Sequence, residues 1–157
     1  MNSSAIKAEG LSRDALHSKI RNSALGSLGM REHSIAELEK KLRQKFTDEP
    51  YVVEVLIWLQ GLDYLNDGRF TEIFIRSSVG KGRGPVRIQQ ELQLRGVTSA
   101  LISESLENSG VNWLELAAEV FERKFSEPAL ELKERAKQMR FLQRRGFGPD
   151  HIYPLFS

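Results

Sequence analysis

At 157 residues and 17.9 kDa, the chain is long enough for one ordinary domain or a short array of small units, and too short for two full-sized enzymatic domains. With 40% apolar and 28% charged residues and no glycine- or proline-rich tract it is neither disordered nor fibrous, and the absence of cysteine excludes disulfides, thiolate zinc sites and a cysteine nucleophile. A formal net charge of +2 is nearly silent about partners, while the lack of any apolar run of signal-peptide or membrane-span length leads us to expect a cytoplasmic protein with no membrane partner.

Helical periodicity recurs and the alternating, β-branched runs of strands are scarce, so the fold class reads as all α. Leu16, Ile20, Ala24 and Leu28 lie on one i, i+4 row of a first helix. Ser34-Ile35-Ala36-Glu37 opens a second as a capping box, in which hydroxyl and carboxylate satisfy free backbone donors, and Ile35, Leu38 and Leu42 form its apolar stripe. A third carries Val52, Val55, Leu56 and Leu59, with Thr47 or Asp48 as its cap, Pro50 in the first turn and an end near Gly61. The turn formers from Asp63 to Phe70 read as a rigid joint, with Asp67 as the cap of a fourth helix marked by Phe70, Ile73 and Phe74. Ile88 and Leu92 mark a fifth after Gly84-Pro85, and Leu101, Ile102 and Leu106 a sixth capped by Thr98. Asn112 and Glu115 repeat the capping-box spacing ahead of Leu116, Ala117, Val120 and Phe121. Ala136, Met139 and Leu142, then Ile152, Leu155 and Phe156, complete about nine helices.

Comparing these segments with one another exposes a repeat. Leu42, Leu92 and Leu142 are separated by equal steps of 50, within the strings LRQKF, LQLRGV and LQRRGF. Ser34-Ile35 corresponds to Gly84-Pro85, and Leu25, Ile75 and Phe125 fall at the same interval upstream. Helices this short are marginal alone, so neighbouring units must share a core. The chain therefore reads as three tandem three-helix repeats forming an elongated, curved array: residues 21–66, 67–110 and 111–157, after an N-terminal extension and helix start at 1–20.

Chemistry is harder to find. The string Val79-Gly80-Lys81-Gly82-Arg83-Gly84-Pro85 invites comparison with a phosphate-cradling loop, but Lys81 is followed by glycine rather than Ser or Thr and no strand feeds it. It reads as a sharp connection whose exposed amides, at the start of the next helix, would favour an anion. His17, His33 and His151 show no metal-ligand spacing and read as solvated or capping histidines. Glu37 and Glu115 fit caps, Glu104, Glu107, Glu119 and Glu122 fit exposed faces, and Ser77, Ser78 and Ser126 lack a nucleophile's context. No catalytic residue, cofactor or metal is expected. Phe70, Phe74, Phe121 and Phe125 read as core, and in Arg144-Arg145-Gly146-Phe147 the glycine turns the chain before the phenylalanine packs.

The charge is segregated. Residues 68–97 hold six basic and two acidic side chains, 98–122 none and five, and 123–157 eight and four. Such blocks can place Arg76, Lys81, Arg83, Arg87 and Arg95 near Arg123, Lys124, Arg144 and Arg145 on one surface that attracts a polyanion or an acidic protein groove.

The strings YLNDGRF at Tyr64 to Phe70, GKGRGPVRIQQELQLRGV at Gly80 to Val97 and FLQRRGF at Phe141 to Phe147 resemble, in order and spacing, the RecX family of bacterial RecA regulators. Arg31-Glu32-His33-Ser34 with Glu37-Leu38 and Leu42 extends the resemblance from about residue 20 to the carboxyl terminus. The resemblance implies three tandem three-helix units and a protein that is not an enzyme; a monomer is expected, though the residues do not fix the oligomeric state. It also implies binding to RecA and the RecA–DNA filament, with restraint of ATPase, strand-exchange and coprotease activities in the regulation of DNA repair. It transfers no individual contact residue, so the nine cations above stand as the candidate RecA- or DNA-binding surface. The other reading the residues support is a helical module that binds DNA directly through phosphate-backbone contacts.

Overall fold

The computed structural model describes residues 12–47 and 49–157. The extension before Ser12 and Asp48, one of the two cap candidates of the third helix, lie outside them. The described residues form α1 (Arg13–Met30), α2 (Ile35–Lys45), α3 (Glu49–Gly61), α4 (Asp67–Gly80), α5 (Pro85–Leu94), α6 (Ser99–Glu107), α7 (Trp113–Lys124), α8 (Leu132–Arg144) and α9 (Pro149–Ile152), closed by a 3₁₀ turn at Tyr153–Phe156, with no β-strand among them. None of these helices is long and apolar enough to cross a membrane.

The described residues divide into two compact units: one comprises residues up to Phe70 with Arg95–Val97, the other Thr71–Leu94 with Thr98–Ser157. In the first, Leu16, Ile20 and Ala24 of α1 meet Leu38 and Leu42 of α2 and Val52, Val55, Leu56 and Leu59 of α3 in a buried cluster closed by Phe46 and Leu65. Each of the leucine, isoleucine and valine side chains contributes about 1.5–3 kcal/mol by leaving water. The core of the second unit joins Leu116, Ala117, Val120 and Phe121 of α7 to Leu142, Phe147, Ile152 and Phe156. Phe121 lies 5.6 Å from Phe156 in a T-shaped pair, and Phe125 meets Phe141 the same way at 5.4 Å. Phe70 and Phe121 are buried as expected, whereas Phe74 and Phe125 are only partly so.

The fifty-residue step survives in three dimensions as a step of burial. Ile20, Phe70 and Val120 are 0%, 4% and 2% exposed, Leu42, Leu92 and Leu142 at most 1%, and Val52, Ile102 and Ile152 at most 2%. One position breaks the pattern. Leu38 and Ile88 are apolar, but fifty residues on stands Gln138, 7% exposed, donating Nε2–H to the Glu127 carbonyl and accepting at Oε1 from Ala129 N–H. A polar side chain is tolerated there because it is bonded at both ends.

The helix starts follow the sequence with two corrections. Ser34 makes the full capping box: its Oγ accepts from Glu37 N–H at 3.1 Å while Glu37 accepts from Ser34 N–H at 3.0 Å. Thr98 caps α6 through Leu101 N–H. Asn112 accepts from Glu115 N–H at 3.0 Å, but only half the expected box is formed, since exposed Glu115 makes no return bond among the described residues. Asp67 does not cap its own helix. Asn66 does, through Arg69 N–H at 2.9 Å, and Asp67 instead accepts from the free first amide of α2, Ile35 N–H, at 2.8 Å.

Candidate interaction surface

The basic-glycine step of the repeat sits where two segments fifty residues out of phase meet. In the first unit, Ser34 Oγ donates to the Arg95 carbonyl at 2.6 Å, and Gly96, at φ +79°, lies so close to α2 that a Cβ on it would collide with Ala36 Cβ. The second unit repeats the joint. Gly84 N–H donates to the Arg145 carbonyl at 2.8 Å and Val86 N–H to the Gly146 carbonyl at 2.9 Å. Gly146, at φ +103°, leaves no room for a Cβ beside Arg87. Both glycines are demanded twice, by the left-handed backbone and by the close approach. The joint also overturns one expectation, because the amides of Gly84 and Val86 at the start of α5 already donate to carbonyls and do not await an anion.

Around the first-unit joint the polar groups are tightly paired. Glu37 accepts from both Arg31 Nη1 and Nη2 at 3.3 Å, Arg95 Nε stands 3.8 Å from it, and Arg69 bridges to Glu32 at 3.0 Å. Burial works to raise the Glu37 carboxyl, but the Arg31 and Ser34 hydrogen bonds and the Arg31 charge outweigh it and hold the group below its ordinary value. Asp67 goes the other way: burial raises it, against the Ile35 N–H bond that favours the ionised form. His33, expected to be solvated or capping, is instead 2% exposed, with Nδ1 3.0 Å from the Arg31 carbonyl. Burial pushes its pKa below the ordinary 6.5, against the pull of that carbonyl, so at neutral pH the ring is uncharged and donates its Nδ1–H.

The nine candidate cations are distributed as follows. Arg95 belongs to the first unit and the other eight to the second. Arg83 and Arg87 converge on Glu91 at 3.8 and 3.3 Å. Lys124 and Arg145 lie 5.2 and 5.8 Å from the centroid of the Phe141 ring. Arg76, Lys81 and Arg123 are exposed and make no ion pair with any described residue. Lys124 and Arg144 line a groove of about 680 Å³ together with Lys137 and Arg140, over Phe125 and Phe141. The last two cations were missed, although their signal is present in the sequence: Lys137, Arg140 and Arg144 stand at i, i+3 and i+7, one stripe of α8. Glu134, also at the groove, is held by Lys137 at 3.2 Å.

Family models described as the second and third three-helix domains of RecX match residues 66–106 and 112–155 of this chain. A regulatory protein RecX of Halorhodospira halophila is 46% identical over 135 residues, covering 85% of this chain and 83% of that protein. One from Pseudomonas putida KT2440 is 40% identical over 139 residues, covering 88% and 89%. The crystal structure of RecX from Lactobacillus salivarius superposes with a TM-score of 0.75, covering 89% of this chain and 94% of that one; at 24% identity it shows the shared fold.

Proposed function

The chain belongs to the RecX family, a tandem helical repeat whose named relatives are regulatory proteins, and from that premise we propose that it binds RecA and the RecA–DNA filament and restrains ATP hydrolysis, strand exchange and coprotease activity. It does so in the cytoplasm as a monomer, without turnover of its own. The observation that carries the reading is the match of both three-helix domain models in order, with 46% identity to a regulatory protein over most of both chains.

The chemistry required is modest. A regulator of a polymer need only bind one filament state better than its alternatives, since differential affinity alone shifts the population. Exposed Arg76, Lys81 and Arg123, which make no ion pair among the described residues, supply attraction at little desolvation cost. Arg83, Arg87, Arg95, Lys124, Arg144 and Arg145 complete the proposed contact surface. Adding the purified chain at saturation to RecA on single-stranded DNA should suppress ATPase and strand exchange together; unchanged rates defeat the proposal.

These three exposed cations favour one second reading, direct DNA binding through phosphates. That reading predicts affinity for naked DNA, with no RecA requirement, falling steeply with salt as counterions are released.

A further inference from the structure

We propose that the basic groove walled by α8 is a docking site for an acidic, amphipathic peptide segment of a protein partner. This deepens the regulatory reading and rests on it only in taking the partner to be a protein. The sign of the groove comes from Lys124, Arg140 and Arg144, which line it without an ion pair among the described residues, while Lys137 and Glu134 neutralise each other. From Lys137 to Arg144 the stripe on α8 runs about 10 Å, enough to meet successive carboxylates of one segment. The aromatic floor of Phe125 and Phe141 keeps water from one side of the cations, which strengthens their attraction for a carboxylate over that at an open surface.

Two observations favour a peptide over a nucleic acid. The rings of the floor are already engaged: Phe141 carries Lys124 and Arg145 and meets Phe125 edge to face, and Phe125 also meets Phe121 at 5.2 Å. A base would find no free platform there. In addition, Leu130 in the connection into α8 and Leu132, the first residue of α8, are 94% and 82% exposed, one and three residues along the chain from Ala129 of the groove wall. A phosphodiester backbone has no use for them, whereas the apolar face of an amphipathic segment would cover them. Gln138 fixes this connection through the Glu127 carbonyl and the Ala129 amide, so the leucines extend from an anchored backbone.

Fluorescence anisotropy on the full chain tests the assignment with three probes: a labelled synthetic helix of glutamate and leucine, its glutamine-for-glutamate counterpart, and single-stranded oligothymidine of matched charge. The glutamate peptide should bind most tightly. Arg140→Glu with Arg144→Glu should weaken it roughly tenfold or more with helical circular dichroism unchanged, and Leu130→Ser with Leu132→Ser should weaken it severalfold. Undiminished peptide affinity in the charge-reversed variant overturns the proposal, as does tighter binding of oligothymidine than of the peptide. RecA assays run in parallel separate the two readings. A wild-type chain that restrains RecA without binding the peptide removes the groove and leaves the regulator; one that binds the peptide and leaves RecA unchanged does the reverse.

Discussion

Single residues set the geometry of the joints. Gly146 and Gly110 both hold left-handed φ, +103° and +74°, but a Cβ on Gly146 meets Arg87 whereas Gly110 has nothing within 4 Å. Gly110→Ala should therefore cost only backbone strain, about 1–2 kcal/mol, and Gly146→Ala distinctly more, read from urea midpoints; equal losses would remove the close approach as the reason for the Arg-Gly step. His33 sets a pH dependence. Its folded pKa is lowered, so below 6.5 the unfolded chain takes a proton that the folded chain, with the ring buried and Arg31 and Lys41 near, resists. Stability is fully present above that value and falls on acidification. Glu37 loses its contribution in a lower window, below its ordinary 4.5, while the raised Asp67 carboxyl acts with the opposite sign. His33→Gln should flatten the thermal midpoint between about pH 7 and pH 5, and a variant that falls in parallel with wild type would remove His33 as the cause.

At the scale of the helix, α8 shows how one element serves two ends. Its buried face keeps the repeat's apolar register at Leu142 but substitutes Gln138 where α2 and α5 have Leu38 and Ile88. Restoring the apolar register with Gln138→Leu should leave global stability within about 1–3 kcal/mol of wild type, because gained burial offsets the lost bonds. The connection should loosen, however: the Ala129 amide, bonded to Gln138 at 2.9 Å, should lose its protection against hydrogen exchange. Retained protection would show that the connection is held by something other than Gln138. Nothing in the local pattern predicts this residue's role, since an isolated glutamine in a helix reads as exposed, and only its partners nine and eleven residues upstream make it a strut.

For the whole molecule, the proposed regulation turns on which of the candidate cations would meet the partner. Arg83 and Arg87 already answer to Glu91, so neutralising them removes less outward field than neutralising Arg76, Lys81 and Arg123, which have no such carboxylate among the described residues. The triple variant Arg76→Gln, Lys81→Gln, Arg123→Gln should raise the half-inhibitory concentration against RecA ATPase more than Arg83→Gln with Arg87→Gln; the reverse order would place the contact at the Glu91 cluster. Apolar stripes, the Ser34 capping box and the fifty-residue step were all legible in the residues, because helical period and cap chemistry act over one or two turns and leave their mark locally. What the amino acids in order could not disclose was which amide Asp67 accepts from, why Arg95-Gly96 and Arg145-Gly146 carry glycine, that His33 is buried, and that Lys137 and Arg140 share a groove with Lys124. Each of these depends on which distant segment lies alongside. That choice is made by the collective burial of the apolar faces, and it assigns a polar side chain its partner only once those faces have met.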